Sequence, residues 1–211
     1  LGTVSGNPGP VCMSDNGTQL FVACNGPSYI YNSTTGVFAQ ITDTDFPGAV
    51  SVGYIDGYFV FNQPNSQKIW VTTLEDGTSI PGDFDSATGS PDGVVGLIVS
   101  NREVWVFGEI STEVWYDAGA DDFPLAAIQG AFNEIGCASA YSIVKMDNNV
   151  FWLGQDANGQ GIVYRASGYA GKRISTHAVE WQIQQYGDIS DAIAYTYQQD
   201  GHAFYVLTFP S

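Results

Sequence analysis

Side chains that carry catalysis are scarce in this sequence. Its 211 residues include two histidines, His177 and His202, and neither lies beside a serine or cysteine in a turn of the kind that exposes a catalytic nucleophile. A serine or cysteine nucleophile depends on an adjacent base, because it is weak until that base activates it. The sequence therefore predicts that the protein is not an enzyme and that both histidines are surface or packed residues.

Two acidic stretches contain the oxygen ligands that a calcium ion prefers. The segment DANGQG at 156–161 resembles the start of a calcium-binding loop, but Ser167 stands where such a loop requires a glutamate that binds through both oxygens. We interpret this segment as a turn between strands. We expect no metal and no cofactor here.

The second acidic stretch, DGTSIPGDFDSATGSPDG at 76–93, contains Asp83, Asp85 and Asp92. Two interpretations of this stretch are open, a calcium site and an exposed acidic loop. The loop is favoured because Gly, Ser and Pro residues are typical of irregular structure. Loops are also where a rigid scaffold carries its contacts. The three aspartates are therefore candidates for contacts with a partner.

Three cysteines, Cys12, Cys24 and Cys137, occur without a Cys-x-x-Cys motif. An odd number with no metal-binding spacing favours small buried side chains in a reducing compartment. The sequence begins LGTVSGNPGP, which lacks the charged start of a signal peptide, so we expect none. No stretch approaches the length of about 18 apolar residues that predicts a membrane span, so we expect no membrane anchor.

The charge balance excludes one class of partner. Six Lys and Arg residues face 22 Asp and Glu residues, which gives a formal net charge of −16. A protein that grips DNA or RNA neutralises phosphates with clustered Lys and Arg, and this sequence has too few of them. The acidity fits a soluble surface, or a surface that stays near nucleic acid without binding it.

The elements that must position these residues repeat along the chain. A short turn followed by an aromatic-rich strand recurs every 40 to 52 residues, in SDNGTQLFVA (14–23), IDGYFVF (55–61), SNREVWVFG (100–108), MDNNVFWLG (146–154) and QQDGHAFYVLTF (198–209). Turns at Asn16-Gly17, Asp56-Gly57, Asn148-Asn149 and Asp200-Gly201 have the residue types of type I′ hairpins, which need positive φ at both central positions. Asn101-Arg102 departs from this pattern.

Each copy is flanked by further short strands, which makes a unit of four antiparallel strands. Repeated four-stranded units of this length are typical of β-propeller blades, and the continuous apolar second strands fit sheets that are covered on both faces. The sequence thus predicts an all-β propeller with one or two short helices between blades. Its units are approximately 10–42, 49–93, 94–129, 141–175 and 191–211. The fifth is incomplete, so we expect an incomplete propeller from a longer chain.

One segment between units has a helical pattern. Residues 176–186 place Val179, Ile183 and Tyr186 at i, i+4 and i+7, with Thr176 at the N-cap position. This spacing predicts a short amphipathic helix with these three residues inward and Trp181 off the apolar stripe. Trp181 and Tyr186 are therefore candidates for partner contacts, although a helix that only covers the propeller is an open alternative.

Several stretches in the second half resemble a known family. They are NREVWVFGEISTEVWY (101–116), IQGAFNEIGCASAYSIVKMDNNVFWLG (128–154), GQGIVYRASGY (159–169), RISTHAVEW (173–181) and YTYQQDGHAFYVLTFP (195–210). Together they resemble the packaged-DNA stabilisation proteins of short-tailed bacteriophages, which are tail-hub or head-completion components. About half of the chain carries this resemblance closely.

The resemblance implies a structural virion protein that forms a ring of six copies around the tail axis. Such a ring extends the DNA exit channel, helps to retain packaged DNA, and joins the portal and adaptor to the tail needle and tailspikes. DNA would pass nearby without specific binding, and assembly would take place in the cytoplasm of the bacterial host. The alternative is a carbohydrate-binding or glycan-hydrolysing propeller that serves as a receptor-binding domain.

Overall fold

The repeated strand pattern forms five antiparallel sheets in the computed structural model, which describes residues 2–5, 7 and 9–211. The first sheet contains β1 (Cys12–Asp15), β2 (Gln19–Ala23), β3 (Ser28–Asn32) and β4 (Phe38–Gln40). The second contains β5 (Val52–Ile55), β6 (Tyr58–Asn62), β7 (Lys68–Val71) and β8 (Phe84–Ser86). The third contains β9 (Val94–Ser100), β10 (Glu103–Gly108), β11 (Thr112–Asp117) and β12 (Leu125–Asn133).

The fourth and fifth sheets depart from the simple four-strand order. The fourth contains β13 (Gly136–Cys137), β14 (Val144–Met146), β15 (Asn149–Asp156), β16 (Gly159–Ser167) and β17 (Ala170–Arg173). Both β13 and β14 pair with β15, because a short 3-10 helix at Ala140–Ser142 interrupts what would be one first strand. The helix α1 (His177–Ile183) precedes the fifth sheet, which contains β18 (Ile193–Gln199) and β19 (His202–Thr208). The predicted all-β fold class with four-stranded antiparallel sheets is confirmed.

The first strands of the five sheets lie around a common axis. The strand β5 contacts both β1 and β9, and β14 contacts β18; together the five first strands border a central pocket of about 460 Å³. Residues from β1, β5, β9, β14 and β18 all line this pocket. The sheets therefore radiate from one axis with their first strands innermost, which is the arrangement of propeller blades.

Each inner second strand sends alternate side chains to two different neighbouring sheets. In β6, Phe59 and Phe61 pack with the first sheet and Val60 packs with the third. In β15, Trp152 packs against the third sheet and Leu153 packs towards α1 and the fifth sheet. Alternation along a strand thus explains the continuous apolar runs, because both faces of the sheet are buried.

Type I′ turns join the first two strands of four sheets. Both central residues have positive φ at Asp56-Gly57 and at Asp200-Gly201, as predicted. The Asn101-Arg102 turn, which departs in residue type, has the same geometry, with φ values of 55° and 62°. The register between β9 and β10 sets this turn geometry, because Ser100 pairs with Glu103 and leaves room for only two turn residues.

Two predicted turns were wrong in detail. The fourth turn is Asp147-Asn148, one residue earlier than predicted, because Met146 pairs with Asn149. In the first turn only Gly17 has positive φ, since the Asn16 side chain accepts the backbone N–H groups of Thr18 and Gln19. A side-chain acceptor thus replaces part of the type I′ geometry there.

We predict that Trp152→Ala lowers the free energy of unfolding by about 3–5 kcal/mol, the typical cost of removing a fully buried large aromatic side chain. Trp152 is fully buried, with its ring centroid 5.2 Å from Phe107, and its indole N–H donates to the Gly136 carbonyl. Urea unfolding followed by circular dichroism measures the change. Trp181→Ala is the matched control, because Trp181 is 63% exposed. Equal losses in both variants would contradict this packing.

Candidate functional site

The Asp92 carboxylate has a structural role, because it accepts hydrogen bonds that connect two segments of the backbone. Asp92 is buried, and its Oδ2 accepts the backbone N–H groups of Ile110 and Ser111 at 2.8 and 3.1 Å, while its Oδ1 accepts the Ser111 hydroxyl at 2.9 Å. A Cβ atom at Gly108 would lie 2.2 Å from Oδ2, so glycine is required for this close approach. Asp92 therefore joins the start of β9 to the turn between β10 and β11.

Asp83 and Asp85 lie apart from these contacts. Asp85 is exposed in β8, where its Oδ1 accepts the Ser86 N–H at 2.7 Å, and Asp83 precedes that strand. Across the part of the chain that the structure describes, no group of three or more His, Cys, Asp or Glu side chains is arranged to hold a metal ion. A role of Asp83 and Asp85 in partner contacts stays a prediction.

The DANGQG segment is the hairpin turn between β15 and β16. Asp156 Oδ1 accepts the backbone N–H groups of Asn158 and Gly159 at 2.7 and 2.9 Å, which fixes the turn. Its interpretation as a turn is confirmed. The Asp156 side chain satisfies local backbone donors, as aspartate commonly does in turns.

The three thiols are free, and their burial disfavours the thiolate form. Cys24 and Cys137 are buried and Cys12 is half-buried. Burial raises the pKa of the Cys137 thiol to about 11 and also raises the pKa of Cys12 and of Cys24. Because the thiolate is the nucleophile, a raised pKa lowers the fraction of each thiol that can react at neutral pH.

The helix α1 turns a different face inward from the one predicted. Ile183 is buried as predicted, but Val179 is 47% exposed and the second inward residue is Glu180, which is 5% exposed. The predicted stripe was wrong because periodicity assigns charged residues to the solvent side. Here the charge of Glu180 is satisfied by partners on the preceding strand and loop, so burial is tolerated.

Those partners form a compact polar cluster. Arg173 donates through Nε to Glu180 Oε1 at 2.6 Å and through Nη2 to Oε2, and the Ser175 hydroxyl donates to Oε1 at 2.6 Å. The Arg173 guanidinium holds the pKa of Glu180 below its ordinary value, and the Ser175 hydroxyl acts in the same direction. His177 Nδ1 lies 3.6 Å from Glu180 Oε2. This cluster fixes α1 to the end of the fourth sheet.

The outer side of α1 presents the most exposed tryptophan. Trp181 is 63% exposed, whereas Tyr186 is 38% exposed and stacks on Phe209 with ring centroids 4.6 Å apart. Trp181 therefore has a free aromatic surface, and Tyr186 is partly engaged in packing against the end of the chain. Both remain candidate contact residues.

Sequence reasoning missed a cleft between the third and fourth sheets. Glu103, Trp105 and Tyr169 line it together with the Asn101 and Asn148 turns, and its volume is about 390 Å³. The Tyr169 hydroxyl donates to Glu103 Oε1 at 2.6 Å across the two sheets. Tyr169 lies in a Ser-Gly-Tyr turn. An aromatic residue in such a polar turn is the one sequence signal from which this cleft could have been found.

A family model described as Bacteriophage P22 Gp10, beta-propeller, matches residues 1–211. The chain belongs to this phage stabilisation family. It is therefore a bacteriophage structural protein with a β-propeller fold, and the suspected relationship to phage DNA-stabilisation proteins is confirmed. The family points to a structural rather than a catalytic role and to assembly with other virion proteins. None of the curated proteins matches the chain.

Solved structures agree with the propeller fold. The extracellular domain of the one component system BT4673 from B. thetaiotaomicron is similar over 97% of the chain, with a TM-score of 0.58 and 11% identity. The Swd1 β-propeller domain of Myceliophteria thermophila is similar over 76%, with a TM-score of 0.52 and 10% identity. The chain spans 27% and 55% of these two structures, and at such low identity they show the fold alone.

The described part of this phage protein contains no helix with the length and apolar character needed to cross a membrane.

We predict that Asp92→Ala lowers the free energy of unfolding by about 1–3 kcal/mol, because buried donors of Ile110 and Ser111 lose their acceptor. Chemical denaturation measures the loss. Asp85→Ala removes an exposed carboxylate from the same loop and should stay within about 0.5 kcal/mol of the parent. An unchanged Asp92→Ala variant would contradict the structural role of this carboxylate.

We also predict a pH-dependent contribution from Glu180. Its folded pKa is below the unfolded value of about 4.3, so the stabilisation is complete above that value and is lost as pH falls through the folded pKa. Glu180→Gln should therefore lower the melting temperature near neutral pH, and the difference from the parent should narrow below about pH 4. Glu134→Gln, an exposed control, should match the parent throughout. A pH-independent difference would argue against the ion pair.

Proposed function

We propose that the chain is a subunit of the phage tail hub. In this role six copies form a ring below the portal and adaptor that extends the DNA exit channel and helps to retain packaged DNA. The observation that carries the proposal is the family match over residues 1–211, in a family described by a phage stabilisation protein. The resemblance found in the sequence supports the same ring and the same partners.

The charge of the chain supports a place beside DNA without binding to it. A net charge of −16 repels phosphate, and association with DNA relies on Lys and Arg that neutralise it. DNA leaving a capsid must slide past the wall of its channel. An acidic wall lowers the free-energy cost of that movement because no phosphate contact has to be broken.

The helix α1 supports a role in contacts with other tail proteins. Exposed tryptophans are enriched at interface hot spots, and Trp181 is held on a helix that the Glu180–Arg173 ion pair fixes to the fourth sheet. A rigid support reduces the ordering cost of binding. We assign Trp181 as the leading contact residue, with Tyr186 as a further candidate and with Asp83 and Asp85 as a second, acidic contact region.

Electron microscopy and sedimentation of the purified protein test the ring, and binding assays with portal, adaptor and needle proteins test the partners. We expect a six-fold ring, no retardation of duplex DNA at physiological salt, and binding to at least one of the three proteins. Trp181→Ala should weaken that binding by about tenfold, as expected for an interface hot spot. Tyr116→Ala, which also removes an exposed aromatic ring, is the control. A stable monomer with no affinity for these proteins would refute the proposal.

A further inference from the structure

The cleft between the third and fourth sheets has an apolar floor and one aromatic wall. Trp105 forms the floor and is 5% exposed, and Tyr169 forms the wall and is 39% exposed. Their ring centroids lie 6.3 Å apart at an angle of 44°. The Tyr169 hydroxyl donates to Glu103 Oε1 at 2.6 Å, which fixes the ring and raises the pKa of this tyrosine.

Two hairpin turns with side-chain amides also line the cleft. Asn101 and Asn148 both have positive φ, and Asn149 follows at the start of β15. Within the described residues, no side-chain hydrogen bond involves Asn101 or Asn148, while Asn149 Nδ2 donates to the Asp147 carbonyl. Each amide has two donors and one acceptor oxygen. The free amides can therefore pair with groups that both donate and accept, as hydroxyls do.

A second cavity continues the cleft past these turns. It has a volume of about 280 Å³ and shares Ser100, Asn101 and Asn148 with the first, and Lys145, Met146 and Asp147 also line it. The first cavity, of about 390 Å³, falls within the size range of small-ligand pockets, roughly 300–1,000 Å³. The first cavity lies between the third and fourth sheets, whereas Asp147, which lines the second, accepts a hydrogen bond from Gln198 Nε2 of the fifth sheet at 3.2 Å.

We propose that this cleft binds a neutral saccharide. The exposed Tyr169 ring can cover the apolar C–H face of a pyranose, and the amides of Asn101 and Asn148 can bind its hydroxyls. Glu103 and the net charge of −16 disfavour an anionic ligand in the first cavity, whereas the charges of Lys145 and Asp147 offset each other in the second. The continuous second cavity leaves room for another sugar unit. This binding activity is separate from the hub role, and either can be true without the other.

Saturation-transfer difference NMR of the purified protein tests the proposal with methyl glucoside, methyl galactoside, methyl mannoside, N-acetylglucosamine and their disaccharides. We expect at least one to bind with a millimolar dissociation constant, with the strongest transfer to its ring protons. Tyr169→Ala and the double variant Asn101→Gly, Asn148→Gly should each weaken binding by about tenfold or more. Glycine suits both turns, because its φ is unrestricted.

Two matched controls keep the result specific. Tyr195→Ala removes an exposed tyrosine of the fifth sheet, and Asp200→Gly changes the first residue of the same turn type there. Both controls should bind as the parent does, and circular dichroism confirms that all variants fold. Absence of binding by every sugar overturns the proposal. Binding that survives the cleft variants, or binding only of short peptides to the cleft, also overturns it.

Discussion

Burial of both faces of the second strand is the constraint on which the rest of the structure depends. In β6 and β10 every residue after the first is buried, with alternate side chains in the cores on either side. A single sheet cannot bury both faces of this strand, because both faces would be exposed to water. A neighbouring sheet stacked on each side buries them. The fifth sheet shows the opposite case: β19 has no sheet beyond it in the described chain, and its residues are exposed or only half-buried.

Polar groups between the sheets make the stacking specific. Asn62 Oδ1 accepts the Ser51 hydroxyl and N–H, Asn62 Nδ2 donates to the Val94 carbonyl, and the Ser51 hydroxyl accepts the Leu97 N–H. Apolar packing tolerates small sliding movements, whereas these contacts are satisfied in only one position. Asp92 has the same effect in the third sheet. Apolar side chains thus stabilise the packing between sheets, and polar side chains fix the position of one sheet on the next.

Of the features proposed for function, the helix α1 interrupts the repeated pattern, whereas the cleft is lined by two of its recurring turns. The helix α1 stands between the fourth and fifth sheets, and the saccharide cleft opens where turns of adjacent sheets face each other. The exposed side chains at these two places do not belong to a strand that must be buried on both faces of its sheet. Trp181 can be exposed because Ile183 and the ion-paired Glu180 already fix the helix. Tyr169 can be half-exposed because its hydroxyl is held by Glu103.

The sequence by itself determined the repeat, the antiparallel strands and the propeller class, because short turns and apolar runs are local signals that recur. The phage family came instead from the resemblance of specific stretches in the second half of the chain. The sequence also located a helix near residues 176–186. Only the tertiary structure decided which face of that helix is buried, because a glutamate turns inward only when Arg173 and Ser175 are in place. The same holds for Asp92, whose donors lie 18 and 19 residues away, and for Tyr169 and Glu103, separated by 66 residues. Contacts between distant residues leave no periodic signal along the chain.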